Sequence, residues 1–579
     1  MKRALLLILL LPLLAHAGDA AGPAIRLNQV GYLPAAHKLA VAPADAADGF
    51  VVEDAATGEP AFTGKLGVAS TWPPSGQRVR IADFSALDAP GRYRLRIRGL
   101  PPSDEFVVAD DAYAALAAAS LKAFYFNRAG TALEPRHAGR YARAAGHPDD
   151  VVRVHASATS ESRPEDTEIS APKGWYDAGD YNKYIVNSGI ATYTLLAAWE
   201  AFPQVFAAQD LGIPESGGDV PDLLDEAWWN LEWMLAMQDP ADGGVYHKLT
   251  TLQFAGFAMP ERAREPRYVV QKSTAAALNL AAVMAQASRV YAPFEAHFPG
   301  VPERMLKASR AAWAWASKHP DAVYRQPDDV GTGAYGDQAL DDEFAWAAAE
   351  LYIATGEEAF RDAFVARGVE AGVPSWNSVG GLAWMSLASL ASRPDRRMPH
   401  AMRERVEREI DGVAGELLRE WSRSAYRVAM GGPDFVWGSS AVALNQAMLL
   451  VQAYRLNGQR DYLDAAQSQL DYVLGRNPLA RSYVTGFGAR PPMHVHHRVS
   501  GADGIVDPVP GWLAGGPNPG QQDAKDCSGR PYPSKVPALS YIDDVCSYAS
   551  NEVAINWNAP LVYVVAALQA LTESQGGDP

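Results

Sequence analysis

At residue 108 the hydrophobic pattern of the chain changes period, and this change limits the folds open to it. Up to Val108 apolar residues fall in short β-rich runs: AIRLNQVGYL, KLAVAPA, FVVEDA, QRVRIADF, RYRLRIRGL and DEFVVAD. Pro, Gly and Asp turns separate them at the spacing of a sandwich. Residues 24–108 therefore read as a small all-β domain. Beyond it lie about twelve Ala- and Leu-rich segments, near 111–127, 182–201, 221–237, 272–292, 302–318, 339–355, 358–368, 380–392, 401–421, 438–457, 460–474 and 552–573. In LLDEAWWNLEWML, Leu224, Ala227, Trp228, Leu231 and Leu235 recur at three- and four-residue steps, as one buried helical face requires. Helices of similar length joined by uneven loops predict six helical hairpins closed into an (α/α)6 barrel over 109–576. An open helical solenoid is the alternative, but no short-period repeat of the usual solenoid kind appears.

The first 17 residues, MKRALLLILLLPLLAHA, carry the basic start, apolar middle and small-residue end of an export leader. No later stretch is long enough and free enough of charge to span a bilayer. A secreted or periplasmic protein is expected. Without Lys2 and Arg3 the chain carries 49 basic and 67 acidic residues, a net charge near −18. That balance disfavours nucleic acid and anionic membranes as partners, whereas a neutral substrate meets no such repulsion. Fifteen tryptophans and 24 tyrosines supply faces that suit sugar rings, although most such rings are core. The two cysteines, Cys527 and Cys546, are expected to pair in an exported protein, in a loop just before Glu552.

Long irregular stretches at 130–173, 238–271, 319–338 and 476–551 are candidates for site walls. The residues with chemistry lie just after the first of these stretches and in or just after the last. Asp177 and Asp180 flank Gly179 in WYDAGDYNKY, just before a helix expected from about 182. They suit an Asx turn that caps the helix, or a pair of carboxylates aimed at a substrate. Glu552 is expected to open the last helix, where the dipole lowers a carboxyl pKa. A general acid needs the opposite, so burial or a neighbour such as Asp543, Asp544 or the Asp177/Asp180 turn must dominate. His496, His497 and Arg498 form a polar cluster that suits hydroxyl recognition or simple solvation. The H-V-H-H run has neither metalloprotease spacing nor a cysteine partner for zinc, and no G-x-S-x-G elbow offers a serine nucleophile.

Three separated stretches then carry a resemblance. WYDAGDYNKY, SYVTGFGARPPMHVHHR and YIDDVCSYASNEVAINWNA resemble the aspartate, histidine-arginine and glutamate motifs of glycoside hydrolase family nine, the inverting β-glucanases often called cellulases. IRLNQVGYLP and the β-rich region resemble the immunoglobulin-like module that precedes many of its catalytic domains. The resemblance implies Asp180 as catalytic base, Asp177 as its partner in holding water and Glu552 as general acid. It implies sugar contacts for His496, Arg498, Tyr548 and, in DFVWGSS, Trp437.

TGAYGDQALDDEFAW resembles a calcium-binding segment of relatives, with Asp337, Asp342 and Glu343 as hard oxygen ligands and Asn377 completing the set. Structural calcium is therefore expected. Some relatives bind zinc through cysteines and histidines, but here Ala129 and Gly146 stand where those cysteines would be, beside His147, and no zinc is expected. The reading at this level is an endo-β-1,4-glucanase acting on soluble or amorphous glucans and cello-oligosaccharides. The chain ends soon after its last helix, with no further binding module expected. The rivals are an exo-acting enzyme, with the insert at 155–173 blocking one end of the cleft, and a non-catalytic sugar-binding protein.

Overall fold

The computed structural model describes residues 23–393 and 398–573, so the leader expected at 1–17 lies outside the described residues. Eight strands form the first layer pair: β1 (Gly31–Tyr32), β2 (Leu39–Pro43), β3 (Gly49–Asp54), β4 (Pro60–Lys65), β5 (Ser70–Trp72), β6 (Gln77–Asp83), β7 (Gly91–Ile97) and β8 (Phe106–Val108). One sheet runs β1-β8-β7-β3-β4, the other β2-β6-β5. The alternation in RYRLRI explains the pairing. Tyr93, Leu95 and Ile97 point into a core with Phe50, Val52, Phe84 and Phe106, while Arg92, Arg94 and Arg96 face out toward Glu105 and Glu53.

Among the described residues twelve helices reach ten residues or more: α1 (Ala114–Phe126), α2 (Ile185–Ala201), α3 (Asp222–Ala236), α4 (Thr274–Tyr291), α5 (Val301–Lys318), α6 (Asp341–Thr355), α7 (Glu358–Arg367), α8 (Gly380–Ala391), α9 (His400–Arg423), α10 (Ser439–Asn457), α11 (Arg460–Val473) and α12 (Ile555–Glu573). The even-numbered helices form an inner ring, each packed on the next, with α12 closing against α2. That closure excludes the open solenoid. Burial follows the ring. Every residue of α4 except Arg289 is buried, whereas α9 buries only Met402, Val406, Ile410, Ala414 and Leu417, one stripe at helical spacing.

The IRLNQVGYLP segment clasps the two parts together. Asn28 donates to Asp471 at the end of α11, and Gln29 donates to the Ala480 carbonyl and accepts from the amides of Ala489 and Arg490. Trp72 of β5 is buried against Tyr426, Phe435 and Tyr472, so one face of the sandwich joins the barrel core while the sandwich keeps a separate core of its own.

The stretches 130–173 and 238–271 are less irregular than their sequence suggests. With residues 183–184 they supply a third sheet of β9 (Val152–Val154), β10 (Glu168–Ile169), β11 (Lys183–Tyr184), β12 (Lys248–Thr250) and β13 (Tyr268–Val269), in the order β10-β9-β13-β12-β11. No helix among the described residues is long and apolar enough to cross a membrane.

Candidate active site

The connections that lead into the inner helices, with the first turn of α6, carry the candidate residues. Asp177 and Asp180 precede α2. Its expected start at 182 moves to Ile185, because Lys183 and Tyr184 pair as β11 with β12. Asp177 is buried and fully engaged. Its Oδ1 accepts from Asn187 at 2.5 Å and its Oδ2 from the Tyr335 hydroxyl at 2.7 Å. Burial, and then the charge of Asp180, push its carboxyl up to about 8. Asp180 is different. Its Oδ2 accepts from Asn182 Nδ2 at 2.6 Å and from the Tyr184 hydroxyl at 3.2 Å, while Oδ1 has no protein partner among the described residues. The turn thus holds one carboxylate shut and leaves half of the other open.

Glu552 does not open α12. It stands in extended backbone three residues before it, paired alongside His496. Its Oε1 accepts from the Gly179 amide at 3.2 Å, which brings the glutamate motif against the aspartate turn. Burial and the charge of Asp180 hold the Glu552 carboxyl well above the usual carboxylate range. The raising neighbour is therefore Asp180 and not Asp543. Asp543 accepts from Arg481, from the amides of Met493 and His494 and from Asn551, and so shapes the loop that carries His496. Gly179 is required by close approach: a Cβ there would lie 2.2 Å from the His496 carbonyl oxygen and 3.1 Å from Glu552 Oε1.

His496 Nδ1 is fixed on the Val545 carbonyl at 2.7 Å, and burial lowers the ring's pKa, so its other nitrogen is a neutral acceptor. Arg498 spends two donors on the protein, Nη1 on the Gly179 carbonyl at 2.8 Å and Nε on that of Ala255 at 2.7 Å. It braces the aspartate turn and keeps Nη2 for other partners. Along the same wall the Trp437 ring lies 5.3 Å from that of Tyr548, which lies 5.8 Å from His496, itself 5.3 Å from Phe257. Trp437 is 42% exposed and Phe257 45%. A Cys527–Cys546 disulfide, with Cα atoms 5.2 Å apart, ties down the loop that ends in Tyr548 and Glu552.

Asp337, Asp342 and Glu343 gather at the start of α6. Both oxygens of the fully buried Glu343 and Oδ2 of Asp337 have no hydrogen-bond partner, and burial together with Asp342 raises the Glu343 carboxyl well above its usual range. Among the described residues no three His, Cys, Asp or Glu groups already converge as metal ligands. The orphaned carboxylates nevertheless fit the donor chemistry of a hard cation. Asn377 is exposed on the turn whose Val379 amide binds Asp342, and its Oδ1 accepts from Ser375. At the second metal position Ala129 is buried with Tyr176 and Tyr181, and His147 Nδ1 meets the Tyr176 hydroxyl at 2.8 Å. A side chain at Gly146 would meet Pro260 at 2.5 Å, so these residues do not fit a zinc cage.

Sequence reasoning missed Tyr335, Asn187, Tyr184 and Lys248. Tyr335 lies inside the stretch read as a metal segment, at a φ of 48° that a tyrosine rarely adopts, and this conformation aims its ring at Asp177. Tyr184 closes the WYDAGDYNKY motif but was given no role, and Asn187 and Lys248 carry no motif signal.

Comparison with known proteins agrees with this geometry. Residues 113–565 match the model of Glycosyl hydrolase family 9, and residues 20–101 that of the Cellulase N-terminal ig-like domain. A xyloglucan-specific endo-β-1,4-glucanase of Bacteroides ovatus is 45% identical over 564 residues, covering 95% of this chain and 94% of its own. Endoglucanase D of Acetivibrio thermocellus is 32% identical over 550 residues, covering 94% and 83%. A solved Bacteroides ovatus family 9 structure superposes with a TM-score of 0.88 at 43% identity, covering 95% of this chain and 99% of its own. With its immunoglobulin-like sandwich, its closed helical barrel and its carboxylates gathered at one mouth, the chain belongs to glycosyl hydrolase family 9 and is a glucan-cleaving glycoside hydrolase.

Proposed function

We propose that the chain is an exported endo-β-1,4-glucanase that inverts the anomeric carbon. The observation that carries this reading is the hydrogen bond from the Gly179 amide to Glu552, which sets a carboxyl whose pKa is raised by burial and by Asp180 beside a half-open carboxylate at the next residue. Glu552 gives its proton to the departing glycosidic oxygen. Asp180 takes a proton from water through its free Oδ1, and the water attacks from the opposite face of the sugar. Asp177, tied by Asn187 and Tyr335, positions that water. The Trp437–Tyr548 wall stacks on sugar faces, and His496 Nε2 and Arg498 Nη2 meet hydroxyls. Asp337, Asp342 and Glu343 hold a structural calcium ion away from the reaction.

Endo action is favoured over exo action by the relatives named as endoglucanases, and the insert at 155–173 is held against the protein. Its side chains are pinned to the 239–246 and 329 regions, through Arg163 to Tyr246 and Asp239 and through His155 to Asp329, and not across the acid and base. The Bacteroides ovatus relative makes xyloglucan the first polymer to try, beside carboxymethyl cellulose and cellohexaose. Early loss of viscosity before reducing ends accumulate marks endo cutting. NMR of the first product gives the stereochemistry, and retained configuration overturns the inverting mechanism. Glu552→Gln should lose activity on glucan by on the order of 10²-fold or more while keeping much of it on a dinitrophenyl cello-oligosaccharide, whose leaving group needs no proton. Asp180→Asn should lose both.

A further inference from the structure

Lys248, on β12 in the connection into α4, is fully buried and has no carboxylate within ion-pair distance. Its ammonium places its three donors on neutral acceptors: Gln326 Oε1 at 3.1 Å, Thr332 Oγ1 at 3.0 Å and the Gly333 carbonyl at 2.7 Å. A buried cation is ordinarily matched by a carboxylate in contact, because removing it from water costs several kcal/mol. Here the matching charge is one group away. The ammonium sits over the Tyr184 ring, 5.6 Å from its centroid, and the Tyr184 hydroxyl donates to Asp180 Oδ2. Strand pairing of Tyr184 with Lys248 fixes the two side chains in register. Burial lowers the Lys248 ammonium to about 7 and the charge of Asp180 works against that, so the lysine carries its positive charge below about pH 7.

We propose that Lys248 is a positioning residue for the reaction, a buried countercharge that acts through Tyr184 to keep Asp180 in its proton-accepting state. This rests on Asp180 being the base. The need for such a group follows from the company Asp180 keeps. Asp177 on its own turn and Glu552 before α12 present carboxyl groups to it, His496 faces it as a neutral ring, and the Arg498 guanidinium is spent largely on backbone carbonyls. Crowding three carboxyl groups drives protons onto the set. A cation behind one member decides which of them stays free to accept.

The test is the pH profile of kcat/KM on a dinitrophenyl cello-oligosaccharide, where the general acid is not needed and the acid limb reports the base. Lys248→Met should move that limb to higher pH by about one unit with KM little changed, and Lys248→Arg should restore it. Tyr184→Phe, which keeps the lysine, should move it in the same direction. It also carries the test if Lys248→Met fails to fold. A folded Lys248→Met or Tyr184→Phe whose acid limb stays in place overturns the proposal. Asp180→Asn in the same series separates the two ideas: if it keeps activity, the base assignment fails, and if it is inactive while the limb is unmoved, only the role of Lys248 fails.

Discussion

The Gly179 backbone amide donates to Glu552 Oε1 at 3.2 Å, although 373 residues of chain separate the two. One turn therefore carries Asp177 and Asp180 and also grips the carboxyl group opposite them, so the spacing across the site is set by backbone and not by a flexible side chain.

Substitution of Gly179 by Ala should damage that spacing. The new methyl group would meet a backbone oxygen of His496, which cannot rotate away. The expected cost is about 1–3 kcal/mol of stability, with a fall in kcat/KM on the order of 10²-fold from misplaced groups. Thermal melting and steady-state kinetics check both, and a variant with unchanged kcat/KM would show that the contact does not set the geometry.

Asp177 should make stability depend on pH. In the folded protein its carboxyl holds a proton up to about 8, against an ordinary value of 3.8. Between these values unfolding releases a proton, so stability is fully present near pH 4 and is lost as pH rises toward 8. Asp177→Asn removes that loss, since an amide keeps its carbonyl for Asn187 and can offer its NH2 to the Tyr335 oxygen. The variant should gain on the order of 2 kcal/mol over the parent at pH 8 and little at pH 4, the figure being reduced by coupling to Asp180. Melting curves at the two pH values decide it, and a constant difference would rule it out.

Glu343 should report on calcium. Both of its oxygens are buried without partners, a costly arrangement that a cation relieves. Chelation should lower Tm and added calcium should restore it, as for any ligand that binds only the native state. Glu343→Gln should abolish the response and melt above the chelated parent. If chelation and re-addition leave Tm where it was, no ion is held there.

The Cys527–Cys546 bond should contribute about 3 kcal/mol in the chain-entropy picture, given its sequence separation of 19. Thiol titration of the denatured, unreduced protein should find no reactive thiol. Reduction should lower Tm and impair catalysis, because the bridge ends two residues before Tyr548.

The architecture was legible because period alone separates the sandwich from the helices, and twelve apolar segments are enough to close a ring. Asp177, Asp180 and Glu552 were legible through motifs. The third sheet was not, because strands such as Lys183–Tyr184 are too short to show any period. Its absence from the sequence reading hid the pairing that places Lys248 behind Tyr184. The start of α12 was misjudged for a related reason: ASNEVAIN is apolar enough to continue the helix, but Glu552 pairs with His496 in an isolated bridge instead. The role of Arg498 as a brace could not be read, since it depends on carbonyls of Gly179 and Ala255 that are distant in sequence.

Trp72 and Asn28 impose an order on the birth of the molecule. The sandwich leaves the ribosome first, yet Asn28 binds Asp471, 443 residues downstream, and Trp72 packs on rings nearly as far along. At 5–20 residues per second that partner arrives roughly 20–90 s later. Until then the finished sandwich carries a bare tryptophan face. The barrel shares the delay, because its ring joins only when α12, the last helix made, reaches α2. The interval before that closure is when a holdase would meet its stickiest surface.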